Sequence, residues 1–299
     1  MTIQTRSLIR HAHAIAREVG ARVVMLYADV VEADDVLADM IRDVGFRLIL
    51  ASRRKGFQPP EEWAELCTVL EVPDVPMTRA GQVKVATLVA LVEGLLKVGD
   101  RIVFLTGVQG SDAIDTILLL DLGRELELFR SISTSPLPDD VRPAVFERVL
   151  TLAGELGYEG REGRQVGTLF VLGDSETVLL QSRQMVINPF HGYPESDRNV
   201  LDPRLEETIK EFSTLDGAFV IRGDGVLLCA ARYLVAPEQG ASRLVSGLGA
   251  RHEAAAGITA ATNAVAFCVS QSTGSVSIFR GGKLLTELQN RRGRNPSDF

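Results

Sequence analysis

ARVVMLYADVVEADDVLADMIRDVGFRLILA, residues 21–51, begins and ends in short aliphatic and β-branched runs of strand length. Between those runs, Val36, Leu37, Met40, Ile41 and Val44 recur at helical spacing. Strand, helix, strand in that order is a β-α-β unit, the crossover that parallel strands require. Downstream of Pro73 and Pro76 the pattern predicts an apolar-faced helix over 80–98 with Gly99 at its end, then a buried strand in RIVFLT, 101–106. The expectation is an α/β chain opening with an N-terminal parallel-sheet α/β domain. The serine, proline and acid of SISTSPLPDDVRP, 131–143, mark the boundary, giving domains at 1–135 and 141–299.

Beyond the boundary the texture changes. A helix is predicted over 143–156, a strand in GTLFVLGD (167–174) and a polar helix in LDPRLEETIKEF (201–212). At least four further strands are expected, in GAFVI (217–221), GVLLCAARYL (225–234), AVAFCVS (264–270) and SVSIFR (275–280), with tight turns at 223–225 and 272–274. The tail NRRGRNPSDF, with Arg291, Arg292 and Arg294, reads as polar and frayed.

Composition bounds the function. The 299 residues carry 32 basic and 39 acidic side chains, a formal net charge of −7, and the sequence pI is near 5.3. That balance argues against nucleic acid or a membrane surface as partner. No apolar run reaches the ~18–20 residues of a bilayer span, and the amino terminus lacks the order of a signal peptide, so a soluble, cytoplasmic protein is expected. Cys67, Cys229 and Cys268 are far apart in apolar surroundings and read as buried reduced thiols. His11 and His13 stand two apart on an expected helix and face different ways, which disfavours a metal pair, and Trp63 reads as packing.

Three segments could carry chemistry. Asp216-Gly217-Ala218 lies between a polar helix and a buried strand; its aspartate could hold a divalent cation or accept a proton, or the pair could be a plain turn. SGLGARHEAAAGITAAT, 246–262, sets glycines, Arg251 and His252 ahead of an alanine-rich helix. Free amides, the dipole and a guanidinium there would cradle phosphate, although a flexible loop with His252 in the core fits equally well. Ser270-Gln271-Ser272 ends an apolar strand, where hydroxyls face a ligand or form a turn.

In this order the segments resemble the catalytic domain of diadenylate cyclases, whose hallmarks are an Asp-Gly-Ala motif and, about thirty-five residues on, an Arg-His-Arg motif. Here these read Asp216-Gly217-Ala218 and Arg251-His252-Glu253, within a matching context of GTLFVLGD, NPF (188–190), GVLLCAARYLVAP and VSQSTGSVSIFRGG. Glu253 stands where most relatives have arginine, Leu215 where one membrane-anchored branch has a metal-holding histidine, and Ala250 where threonine is common. GDRIVFLTGVQG (99–110) and the strand-helix alternation look like the carboxy-terminal domain of pyruvate kinase. The combination resembles the archaeal-type soluble cyclases.

The resemblance implies a central mixed β-sheet flanked by helices and the condensation of two ATP into cyclic di-AMP. It implies catalytic roles for Asp216, Arg251 and His252, with Asp216 on Mn²⁺ or Mg²⁺. Gly217, Ala218, Tyr233, Leu234, Gly249, Arg251, His252, Glu253, Ser270 and Gln271 would bind nucleotide, Tyr233 and Leu234 at the adenine. A symmetric product implies a homodimer or larger even-numbered oligomer. The competing reading, kept open by the charge of Glu253, is a non-catalytic ATP or cyclic di-AMP sensor. All of this requires Asp216 and Arg251 to meet at one cleft.

Overall fold

The computed structural model describes residues 2–30, 42, 45–111, 113–124, 137–235 and 249–289. The chain divides into two compact units, Met1–Leu128 and Phe129–Phe299.

The first unit opens with helix α1 (Ile3–Glu18), whose Thr2 side chain accepts the Thr5 amide as a cap. Strands β1 (Val23–Tyr27), β2 (Arg47–Ser52) and β3 (Cys67–Glu71) follow, then helix α2 (Arg79–Val92) and strands β4 (Arg101–Thr106) and β5 (Thr116–Asp121). The sheet order is β3-β2-β1-β4-β5. Both strands of the predicted β-α-β unit form and pair in parallel, Val23 to Arg47 through Tyr27 to Ala51. The helix expected between them falls almost wholly outside the described residues.

Two expectations for this unit need correction. The sheet is parallel only from β3 to β4, because β5 runs antiparallel to β4. The intervening residues 107–115 are too few for a crossover, so the chain must turn straight back. The helix predicted over 80–98 stops at Val92. Gly94 enters the left-handed region at φ +72°, and the amides of Leu95 and Leu96 both return to the Ala90 carbonyl, which closes the helix.

The apolar stripe of α1, Ile9, Ala12 and Ala16, packs with Val24, Leu26, Val103, Leu105 and Trp63 in one core. Trp63 is therefore packing. His11 is exposed, its Nδ1 beside the Ser7 carbonyl, and His13 lies edge-on to Phe46.

The second unit runs α3 (Pro143–Glu159), β6 (Thr168–Leu172), α4 (Ser175–Leu180), β7 (Ser182–Gln184), α5 (Glu206–Phe212), β8 (Ala218–Ile221) and β9 (Leu227–Leu234). It ends with α6 (Ala250–Ala261), β10 (Val265–Val269), β11 (Val276–Arg280) and β12 (Lys283–Leu288). The sheet order is β12-β11-β10-β6-β8-β9-β7, and only β6 and β8 pair in parallel. Alternation along β10 sends its side chains to opposite faces. Ala266 and Cys268 join Ala255, Ala256 and Ile258 of α6 in one core cluster, while Phe267 meets Phe146 of α3 with ring centroids 5.0 Å apart. Helices thus cover both faces of a mixed sheet.

Burial raises the thiol of Cys268 to about 12 and that of Cys229 to about 11, so both stay protonated at neutral pH. Cys67 is half-buried, and its thiol donates to the Trp63 carbonyl. The three are free cysteines.

α5 is held to α3 by a partly buried ion cluster. Lys210 Nζ lies 3.0 Å from Glu155 Oε2, 3.3 Å from Glu159 Oε2 and 3.0 Å from Glu206 Oε1, while Arg148 Nη2 reaches Glu206 Oε2 at 2.8 Å. Burial works against the Lys210 charge, but its three carboxylate partners outweigh it and raise the ammonium pKa. This cluster fixes the helix whose end delivers Asp216 to the sheet.

Candidate functional site

Strand direction explains why distant segments converge. β6 and β8 are parallel and start at one end of the sheet; β9 and β10, antiparallel to them, finish at that same end. Gly167 precedes β6 and Asp216 precedes β8, while Tyr233 and Leu234 close β9 and Ser270 and Gln271 follow β10. The amino terminus of α6, capped by Gly249, completes the ring. All of these but Gly167 line an open cleft of about 840 Å³.

At its centre, Arg251 Nη2 donates to Asp216 Oδ1 at 3.0 Å, and Arg251 Nη1 lies 3.5 Å from Gln271 Oε1. The condition set by the sequence is met: carboxylate and guanidinium face each other across one cleft. The Asp216 side chain is 81% exposed and that of Arg251 34%, so their ion pair is worth only about 0–1 kcal/mol and is readily exchanged for a ligand.

The chain needs glycine at 217. Gly217 has φ +103°, and a Cβ there would lie 2.7 Å from the Ala231 carbonyl carbon and 2.8 Å from the Arg232 nitrogen. The close approach occurs at a bulge in β9, where the β8 register slips and Ala231 takes φ +55°. Ala218 itself is buried and pairs with Arg232.

The first turn of α6 offers the amides of Gly249, Ala250 and Arg251, which have no intrahelical acceptor. The His252 amide, expected to bind phosphate, instead donates to the Gly249 carbonyl at 2.9 Å. The His252 imidazole is 8% exposed and turns toward the core, with Nε2 3.2 Å from Ser277 Oγ and its ring edge-on to Phe279. Burial lowers its pKa, and Glu287 opposes the shift. Its geometry is that of a pin fastening the start of α6 to β11. Glu253 is exposed on the same turn.

Leu234 is buried and belongs to the sheet core, whereas Tyr233 is half exposed and carries the Arg183 guanidinium over its ring at 4.8 Å. The Ser270 hydroxyl lies 3.2 Å from Ser272 Oγ and accepts the Thr273 amide, forming a turn that leaves Gln271 exposed. The turn and ligand-facing readings of this segment are compatible.

Among the described residues, no group of three or more His, Cys, Asp or Glu could hold a metal. Oxygen donors nevertheless border the cleft, among them the Asp216 and Glu253 carboxylates and the Ser270 hydroxyl. That set fits a hard cation such as Mg²⁺, which is commonly held by one or two carboxylates and completes its shell from phosphate and water.

Sequence reasoning missed Gly167, Met185 and Arg232. Met185, whose amide donates to the Ala231 carbonyl at 3.1 Å, lines the cleft with Tyr233. Arg232 spends its guanidinium on structure, donating to Ser182 Oγ at 2.8 Å, the Ser182 carbonyl at 2.8 Å and the Leu179 carbonyl at 2.9 Å. Gly167 was visible only as part of a matching stretch. The requirement for it arises from neighbours remote in sequence.

Comparison with known proteins places the chain among relatives of stated name. Residues 155–284 match a family model described as "DisA bacterial checkpoint controller nucleotide-binding", and residues 4–129 one described as "Probable sensor domain DacZ_P". The chain is 34% identical over 272 residues to a diadenylate cyclase of Haloferax volcanii, covering 85% of this chain and 96% of that protein. It is 37% identical over 203 residues to a diadenylate cyclase of Methanocaldococcus jannaschii, and there the match spans 68% of this chain and 64% of the relative's length. A hypothetical membrane spanning protein from Bacillus cereus aligns over 51% of this chain and 66% of its own, at 22% identity and a TM-score of 0.38, too low to carry an argument. Among the described residues no helix is long and apolar enough to cross a membrane.

Proposed function

Because the chain belongs to the diadenylate cyclase family, we propose that it condenses two ATP molecules into cyclic di-AMP with release of two pyrophosphates. The observation that carries this reading is the meeting of Asp216 and Arg251, 3.0 Å apart, at a cleft that also opens onto a helix amino terminus. In each half of the reaction the ribose 3′-oxygen of one ATP attacks the α-phosphorus of the other, and the bond to the pyrophosphate oxygen breaks in line.

Arg251 and the amides of Gly249 and Ala250 bind the triphosphate, where charge-assisted contacts are strongest. Ser270 and Gln271 reach its distal phosphates. Tyr233, with Leu234 and Met185, forms the apolar wall for adenine. Asp216 orients the 3′-hydroxyl and takes up its proton. Asp216 is also the residue that would hold Mn²⁺ or Mg²⁺, which would neutralise triphosphate charge when bound. His252 acts through the position of α6, and Gly217 and Ala218 through the close backbone approach. Glu253 also lines the cleft and faces the ligand, where its charge opposes the triphosphate unless a metal or an arginine meets it.

With one ATP held by each subunit, a symmetric product requires two such clefts to face each other, hence a homodimer or larger even-numbered oligomer. The functional domains are 1–135 and 141–299, the first a sensing domain in keeping with the name of the family model it matches. Its likeness to the pyruvate kinase carboxy-terminal domain rests on 99–110 and the strand-helix alternation.

Incubation with α-labelled ATP and Mn²⁺ tests the proposal. Cyclic di-AMP and two equivalents of pyrophosphate are expected; ATP that binds and is recovered unchanged would replace the cyclase with the sensor reading.

A further inference from the structure

Gly167 ends the loop into β6, whose first residue, Thr168, pairs with Val269 of β10. That register sets Gly167 beside Ser270 and Gln271. A Cβ built on Gly167 would lie 2.9 Å from Arg251 Nη1, 2.9 Å from Gln271 Cβ and 3.2 Å from the Gln271 amide nitrogen. The first contact is with the tip of a long side chain that can swing away; the other two are with atoms close to or on the backbone. The backbone of Gly167 lies outside the left-handed region, so alanine meets no conformational strain there. The glycine is needed for space alone. Arg251 lies against the bare Cα, between Asp216 Oδ1 and Gln271 Oε1.

We propose that Gly167 is a positioning residue of the cyclase site, a floor without a side chain on which the Arg251 guanidinium rests at the depth where it can meet both Asp216 and the triphosphate. The inference rests on the cyclase reading and adds a residue to it. Any side chain at 167 lifts the guanidinium toward solvent and swings its fork out of line with the phosphates. Displacements near 1 Å in a reacting constellation cost on the order of a hundredfold in rate.

A double-mutant cycle tests this. Gly167→Ala should lower kcat/KM for ATP on the order of a hundredfold, with weaker binding of a non-hydrolysable ATP analogue. Its thermal midpoint should fall by only a few degrees, since the crowding against Gln271 Cβ is partly offset by the narrower unfolded ensemble. In an Arg251→Ala background the same substitution should add almost nothing, since its target is gone. Wild-type kinetics in Gly167→Ala, or an equal loss in both backgrounds, overturns the proposal.

If Gly167→Ala fails to fold, Gln271→Gly relieves the contact with Gln271 Cβ. The loss should then appear between Gln271→Gly and Gln271→Gly/Gly167→Ala, and its absence overturns the idea. The wild type and Arg251→Ala, measured alongside, report on the cyclase reading separately: no product from the wild type defeats that reading, whereas a normal Arg251 effect with an indifferent Gly167→Ala defeats only this inference.

Discussion

Replacing Arg251 with alanine separates a binding role from a structural one. The guanidinium is about one third exposed, and its protein partners are the largely exposed Asp216 and, at 3.5 Å, Gln271. Surface ion pairs of this kind contribute about 0–1 kcal/mol, so Arg251→Ala should leave the thermal midpoint within a few degrees of the wild type. A triphosphate in the cleft would meet that guanidinium through charge-assisted hydrogen bonds, worth about 1.5–3 kcal/mol each. Since about 1.4 kcal/mol is a factor of ten in Kd, ATP should bind roughly ten- to a hundredfold more weakly. Arg251→Lys keeps the charge but loses the planar fork, and should fall between the two. Titration calorimetry with a non-hydrolysable ATP analogue, paired with thermal unfolding, reads both quantities. Unchanged affinity, or a stability loss that accounts for the weaker binding, refutes the reasoning.

Asp216→Asn should abolish cyclic di-AMP formation while circular dichroism and the unfolding midpoint stay as in the wild type, because the side chain is 81% exposed; product at the wild-type rate removes Asp216 from the chemistry. Lys210→Met should destabilise the second unit by about 2–4 kcal/mol in denaturant titration, since it strands the partly buried carboxylate of Glu155 and leaves Glu206 with Arg148 alone; a change under about 0.5 kcal/mol contradicts the account of that cluster. His252 has a folded-state pKa below the ordinary imidazole value, chiefly through burial. The unfolded chain therefore binds the extra proton first as pH drops. Its contribution is fully present above about pH 6.5 and is lost as pH falls toward the lower folded value. Unfolding midpoints measured from pH 7.5 to 5.5 should fall more steeply in the wild type than in His252→Gln, and parallel slopes would contradict the buried-imidazole argument.

Much of this was legible in the sequence because it rests on local pattern. The runs that became β1, β2, β4, β6 and β8 to β11 are aliphatic and flanked by turn residues, and the Gly225 turn takes φ +98° as a tight reversal demands. What failed to show depends on partners distant in the chain. The direction of β5 follows from a connection too short for crossover, and the three-residue strand β7 exists only because β9 offers it an edge. The end of α2 turned on Gly94, which the apolar pattern runs straight through. In the site, Asp216 and Arg251 could be picked out by motif, but their meeting depends on β6 and β8 starting where β9 and β10 stop. The core placement of His252, one of two readings left open along residues 246–262, follows from β11, which brings Ser277 and Phe279 beneath it.

The pairing of two clefts is tested most directly by the rate of cyclic di-AMP formation per subunit as the protein is diluted at saturating ATP, with the assembly state followed by sedimentation. The rate should fall in step with the loss of dimers and vanish for monomers that still bind ATP. Undiminished turnover by a sedimenting monomer would contradict it.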